Sequence, residues 1–163
     1  MQKTTVIDVA NCIIKKFKEN GKSLSNMKLQ KLIYYAYAIH LNAVGKPLFE
    51  NEFQPWAYGP VHPRVYYEVK SQNPNPFNIT NLLEGDGNPS TQDQETIELL
   101  CEYVYKVFES FNAKSLSELT HLPFGAWQKA IDRQEGSLND VDIICEINTI
   151  LNDGKSLTCN YNF

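Results

Sequence analysis

The side chains in this sequence that could hold a metal, carry a proton or attack a substrate are few and scattered. His40, His62 and His121 are its imidazoles, and no two stand three or four residues apart, so no helix can present a His-Glu-x-x-His pair. A catalytic or metal site would have to draw His62 and His121 together across the fold. A small hydrolase using either one is the enzyme alternative. His121, following Thr120, reads more simply as an imidazole bonded to a helix end. Cys12, Cys101, Cys145 and Cys159 contain no Cys-x-x-Cys pair. Three of them fall inside helical patterns, with Cys12 and Cys101 on apolar stripes, which reads as buried free thiols in a reducing cytoplasm rather than zinc ligands or disulfides. Gly85-x-Gly87 lacks a following Gly-Lys-Ser/Thr, and Gly-x-Ser-x-Gly is absent. The expectation is a protein without catalytic residue, metal or cofactor.

Recognition chemistry is concentrated instead in one stretch, Phe53 to Tyr67, which runs Phe-Gln-Pro-Trp-Ala-Tyr-Gly-Pro-Val-His-Pro-Arg-Val-Tyr-Tyr. Pro55, Pro60 and Pro63 each fix φ and remove a backbone donor. Gly59, directly before Pro60, permits a tight bend. Trp56, Tyr58, Tyr66 and Tyr67 stand on this stiff backbone. Such a segment is either a corner that fills a core or a preformed surface for a partner.

Charge offers a second recognition signal. Residues 1–46 carry eight lysines against two acids, a net +6, while the remainder carries −10, which together give the total of −4. The split suits either a basic face for an acidic partner or lysines coating exposed helix faces. A nucleic-acid-binding regulator would have to use Lys15, Lys16, Lys18, Lys22, Lys28 and Lys31, but the pI of 5.4 argues against a dedicated binder. No run of about 18 apolar residues exists and no basic-then-apolar leader opens the chain, so a cytoplasmic protein with no membrane span is expected.

The elements that must position these groups read as helices. Thr5-x-x-Asp8 caps a helix over 6–20 with Val6, Val9, Ala10, Ile13, Ile14 and Phe17 on one stripe, stopped by Gly21. Ser25 caps a second over 27–44 that is apolar nearly all round, as a central helix is, and ends at Gly45 and Pro47. Leu48 to Tyr58 reads as two short arms around Glu50-Asn51-Glu52, and Pro63 starts a helix reaching about Ser71. Residues 72–90 form a long irregular loop, functional or mobile. Thr91-x-x-Gln94 and Ser115-x-x-Glu118 read as capping boxes, and Pro123 as another helix start. Asn139-x-x-Asp142 opens a last helix with Val141, Ile144, Ile147 and Leu151 inward and Gly154 as its stop, followed by a polar tail, 155–163. The fold class is mainly α: one domain over 1–163, a compact bundle of about six helices with a short β-hairpin or extended corner around 47–60.

Four pieces then add up in order: Asp8-Val9-Ala10-Asn11; Lys28-Leu29-Gln30-Lys31-Leu32-Ile33-Tyr34-Tyr35-Ala36; Gly45-Lys46-Pro47-Leu48-Phe49 leading to Trp56-Ala57-Tyr58-Gly59-Pro60-Val61; and Leu119-Thr120-His121 with Trp127. Over roughly residues 5–131 the chain resembles the Panacea antitoxin domain, whose members are described as SocA-like or GepA-like phage-associated proteins. Pro55 departs from the small residue common before the tryptophan in that family. The resemblance implies a non-catalytic binding module, the antitoxin of a bacterial or prophage pair, which caps a toxin encoded by an adjacent gene. The alternative within binding is an adaptor presenting a partner to a protease or other host protein, with the tail as its handle. Trp56, Tyr58, Tyr66, Arg64 and neighbouring Tyr34 or Tyr35 are the candidate contact patch or its floor. Gly59, Pro60, Val61, Gln30, Lys31, His121 and Trp127 are candidate structural motif residues. An exposed aromatic patch also leaves a homodimer open.

Overall fold

The computed structural model describes residues 1–152, so the expected stop at Gly154, the tail and Cys159 lie outside the described residues. Those residues form seven helices and one two-stranded hairpin. Helix α1 (Val6–Glu19) buries the expected stripe, with Ile7 added. The expected capping box is present: Asp8 reaches back to accept the Thr5 amide at 2.7 Å, and the Thr5 hydroxyl also bonds the Asp8 carboxylate. Gly21 turns the chain at φ +64° while Lys22 N–H bonds the Phe17 carbonyl, closing the helix end.

Helix α2 (Asn26–Val44) is the axis of the fold. It is buried at Asn26 and from Lys28 to Leu41, and α1, α3, α4, α5, α7 and the hairpin all pack on it. An all-round apolar helix needs such a sheath to keep its surface from water. Tyr34, Tyr35, Tyr37, Phe49, Phe53 and Phe108 form a continuous run of ring contacts 5.0–6.2 Å apart through its middle.

The hairpin comprises β1 (Gln54–Trp56) and β2 (Gly59–Val61), antiparallel in the register Gln54–Val61, Pro55–Pro60, Trp56–Gly59. Its turn is Ala57–Tyr58, not the expected Glu50–Glu52. Asn51 is committed elsewhere: its amide donates to Leu138 O and Asp140, and its own oxygen takes the Phe53 amide. Pairing proline with proline places both at a position where neither owes the ladder an N–H. Pro63 opens α3 (Pro63–Gln72) as expected.

Three helix starts differ from the capping signals. Helix α4 (Thr91–Phe108) is capped by Ser90, whose hydroxyl takes the Asp93 amide at 3.0 Å, so Thr91 is already helical. Helix α5 (Ala113–Thr120) is capped by Asn112, whose oxygen takes the Ser115 amide at 2.8 Å, which places the start before the Ser115–Glu118 box. Helix α6 (Ala126–Asp132) starts after Gly125, and Pro123 sits in the turn closed by Gly125 N–H to Leu122 O.

Helix α7 (Asp140–Asn152) opens as expected at Asn139, which exchanges hydrogen bonds with Asp142. Its face is rotated, however. Ile143, Ile147 and Ile150 point inward with Asp142 and Glu146, whereas Val141 is exposed and Cys145 lies outside. Partners inside make this possible: Arg133 and Asn139 bond Asp142, and Tyr34 bonds Glu146.

The segment from Asn73 to Ser90 is an ordered strap over α1. Leu83 exchanges both backbone bonds with the Asn11 side chain (2.7 and 2.8 Å), Asn88 pairs with Lys3, and Ile79 N–H bonds Leu24 O. Gly85 and Gly87 pass where a Cβ would strike Ile7 and Asp8. Asn11→Ala removes both bonds at one stroke. It should cost about 2 kcal/mol in urea denaturation and accelerate amide exchange at Leu83 ahead of the helices. Unchanged exchange at Leu83 would show that the strap is held elsewhere.

Candidate functional site

The hairpin is held by its carbonyls. Trp127 Nε1 donates to Trp56 O at 2.7 Å, His121 Nε2 lies 3.3 Å from Ala57 O, the Ser117 hydroxyl donates to Tyr58 O at 2.7 Å, and Lys31 Nζ donates to Pro60 O at 3.0 Å. Ser117 and His121 are one turn apart on α5, and the His121 ring also packs on Trp127, 4.0 Å between centroids. Lys31 is 1% exposed, and burial pulls its ammonium down to about 8. Gln30, one residue earlier, takes the His62 amide at 2.9 Å and bonds Asn26, which in turn donates to Tyr66 O. The candidate motif residues thus meet at one place: Gln30 and Lys31 from α2, His121 and Trp127 from the C-terminal half, around Gly59, Pro60 and Val61.

With its backbone engaged inward, the hairpin turns side chains outward. Trp56, Tyr66 and Tyr67 form an edge-to-face cluster, with Trp56–Tyr66 at 4.9 Å and Tyr66–Tyr67 at 5.2 Å. Tyr67 is 57% exposed, Tyr58 at the turn is 67% exposed, and Trp56 and Tyr66 are half-buried. Tyr58 also lines an apolar groove of about 530 Å³ with Met27, Lys114, Ser117, Glu118 and His121. The edge of β1 is a poor template for strand addition, because Pro55 lacks the N–H that a new strand would need. Rigid rings on a fixed backbone bury area at low entropic cost, so this face is suited to side-chain recognition.

The other candidates fall elsewhere. Tyr34 and Tyr35 are wholly buried, which places them in the core and off any contact surface. Tyr34 donates to Glu146, and burial raises both tyrosines well above the ordinary phenol range. Arg64 is half-exposed and paired with Asp86 of the strap at 2.5 Å. His62 is 1% exposed, and burial pushes it down to about 4, so at neutral pH it is an uncharged ring stacked edge-on against Phe49 and Phe53. Among the described residues no three His, Cys, Asp or Glu side chains cluster to hold a metal.

Six of the eight lysines of the basic N-terminal third have partners within the chain. Lys16 pairs with Glu102, Lys22 with Glu109, and Lys15 with Glu19, while Lys18, Lys28 and Lys31 donate to the carbonyls of Thr80, Glu109 and Pro60. The charge split therefore reflects α1 and the start of α2 packing beside acidic α4, and each of the six lysines named for a nucleic-acid face has a partner within the chain. No helix among the described residues is long and apolar enough to cross a membrane.

Sequence reasoning missed Ser117, Met27 and the inward Glu146. Ser117 was legible in principle, one turn before His121 on the same helix face. Met27 and Glu146 carried no local signal, because their neighbours come from distant elements.

The family model described as "Antitoxin SocA-like, Panacea domain" matches residues 29–128. That interval brackets the clamp, from two residues before Lys31 to one after Trp127. The Antitoxin SocA of Caulobacter vibrioides (strain NA1000 / CB15N) is 31% identical over 128 residues, covering 73% of this chain and 66% of that protein, so the match leaves a third of the relative's length unspanned. No solved structure matches significantly. The clamp lies inside the interval that the family model describes, and the chain belongs to the SocA-like antitoxin family through its Panacea domain.

Proposed function

We propose that the protein is the antitoxin of a bacterial or prophage toxin–antitoxin pair and that it acts in the cytoplasm without catalysis, capping a toxin encoded by an adjacent gene. Trp56, Tyr58, Tyr66 and Tyr67 make the contact, with the Met27–His121 groove beside them. The observation that carries this reading is the division of labour in the hairpin: its carbonyls are fixed inward by four side chains while its rings face solvent. Family membership supplies the toxin as the partner class.

The test is co-expression with the neighbouring gene, following growth and pull-down. The Tyr58→Ala/Tyr67→Ala double variant removes the two most exposed rings of this face. It should leave the melting temperature unchanged while weakening the complex about 30-fold or more, and rescue of growth should fail at low expression. Full rescue by the folded double variant would move the interface off this face. Binding should also depend only weakly on salt between about 50 and 300 mM, since the proposed contact is aromatic and most of the basic lysines have partners within the chain.

A further inference from the structure

We propose that Cys12 and Cys101 form an oxidant-responsive dithiol, a modification site that closes into a disulfide joining α1 to α4. The two helices pack along each other. Cys101 Sγ, in a residue 2% exposed, lies 3.9 Å from Val9 O, one helical turn before Cys12, and the Cys101 thiol hydrogen-bonds to Cys12 across the interface. Cys12 is half-buried and lines a surface groove of about 260 Å³ with Asp8, Lys15, Leu82 and Glu98. One thiol is thus reachable from solvent and the other waits directly behind it, which is the arrangement of an attacking and a resolving cysteine.

The hydrogen bond from Cys101 lowers the Cys12 thiol, with Lys15 and Lys16 assisting against burial and Glu98. The same bond, together with burial, pushes the Cys101 thiol well up. With a peroxide as oxidant, the Cys12 thiolate attacks the O–O bond, forming the S–O bond of a sulfenic acid and releasing hydroxide, which takes a proton to become water. Cys101 sulfur then attacks Cys12 sulfur; the S–S bond forms, the S–O bond breaks, and the departing hydroxide leaves as water with the Cys101 proton. Two thiols lose two electrons and one peroxide becomes two waters.

The experiment is peptide mapping of reduced full-length protein after hydrogen peroxide, with the exposed thiol of Cys145 as an internal reference. The expected product is a Cys12–Cys101 linked peptide, about 2 Da lighter than the sum of the two thiol peptides and reversed by dithiothreitol. Cys12→Ser should abolish it, and Cys101→Ser should leave a Cys12 sulfenic acid that dimedone traps. If Cys101→Ser fails to fold, the wild-type map and Cys12→Ser still decide. Oxidation of Cys12 no faster than Cys145, or a linkage that leaves out Cys101 while the helical circular dichroism persists, would overturn the proposal.

Discussion

Replacing Gly59 with alanine should destabilise the protein by about 3 kcal/mol or more and abolish partner binding. Gly59 has φ +107°, a region that side chains with a Cβ rarely enter, and that Cβ would lie 2.4 Å from Thr120 Oγ1 and 2.9 Å from Lys31 Cε. Neither neighbour can swing away. The Thr120 hydroxyl is bonded to Ser117 O at 2.6 Å in a wholly buried site, and Lys31 is buried and anchored to Pro60. Ala57 and Tyr58 have no positive φ, so the hairpin makes its handedness correction one residue late, at Gly59. The alanine variant must push β2 outward, which pulls Pro60 from Lys31 and Tyr58 from Ser117. Gly45, at φ +75° with nothing within 4 Å, is the control: Gly45→Ala should cost about 1 kcal/mol and leave binding intact. Adding Thr120→Ala to Gly59→Ala should recover part of the loss by removing the tightest contact while the backbone strain stays. Equal melting temperatures for the two single glycine variants would refute the clamp as a determinant of stability.

That test bears on what ties these separate sequence pieces together. Lys31, His121 and Trp127 come from separate stretches of the sequence and share no periodicity, yet they meet the hairpin carbonyls of Pro60, Ala57 and Trp56. Their spacing could be noticed in the sequence but not explained there, because the reason is a set of carbonyls supplied by another segment. What local physics does dictate was legible. The apolar stripe of α1, the all-round burial of α2, Pro63 at the start of α3 and Asn139 at the start of α7 each follow from residues within one or two turns. The caps of α4 and α5 slipped because Ser90 and Asn112 compete with Thr91 and Ser115, and a sequence offers no way to rank adjacent cap formers. The inward face of α7 was misjudged for a different cause. An apolar-stripe argument assigns Asp142 and Glu146 to water, and only Arg133, Asn139 and Tyr34, brought in by the fold, make their burial tolerable. Of the contact patch, Tyr58 and the Trp56–Tyr66 pair stand at the surface beside Tyr67, whereas Tyr34 and Tyr35 belong to the core; the aromatic content of α2 alone could not separate the two.

Glu146→Gln should stabilise the protein at pH 8 and unmask a pH dependence that Glu146 opposes in the wild type. Glu146 is 1% exposed; one oxygen takes the Tyr34 hydroxyl, while the other lies beside Gly125 and the Ala126 amide without completing a hydrogen bond. Burial pushes this carboxyl up to about 7, against the partial compensation of Tyr34, Ala126 and Lys129. Starting from 4.5 in the unfolded chain, the folded protein therefore holds a proton that the unfolded chain has released, and stability falls as pH rises from 4.5 to 7. The full penalty above that window is about 3 kcal/mol. His62 works in the opposite direction. Its ring is pushed from 6.5 down to about 4, so the unfolded chain binds the extra proton, and stability is lost as pH falls across that interval. The two slopes overlap and oppose each other between about pH 4.5 and 6.5, so Glu146 masks the His62 slope in the wild type. Glutamine keeps an acceptor for Tyr34 but cannot ionise. Its stability should match wild type near pH 4.5, climb with pH as His62 loses its proton, and exceed wild type by up to about 3 kcal/mol at pH 8. Urea denaturation at pH 4.5, 6.5 and 8 reads all three points. Parallel pH curves for variant and wild type would mean that Glu146 stays ionised in the core and does not oppose the His62 slope.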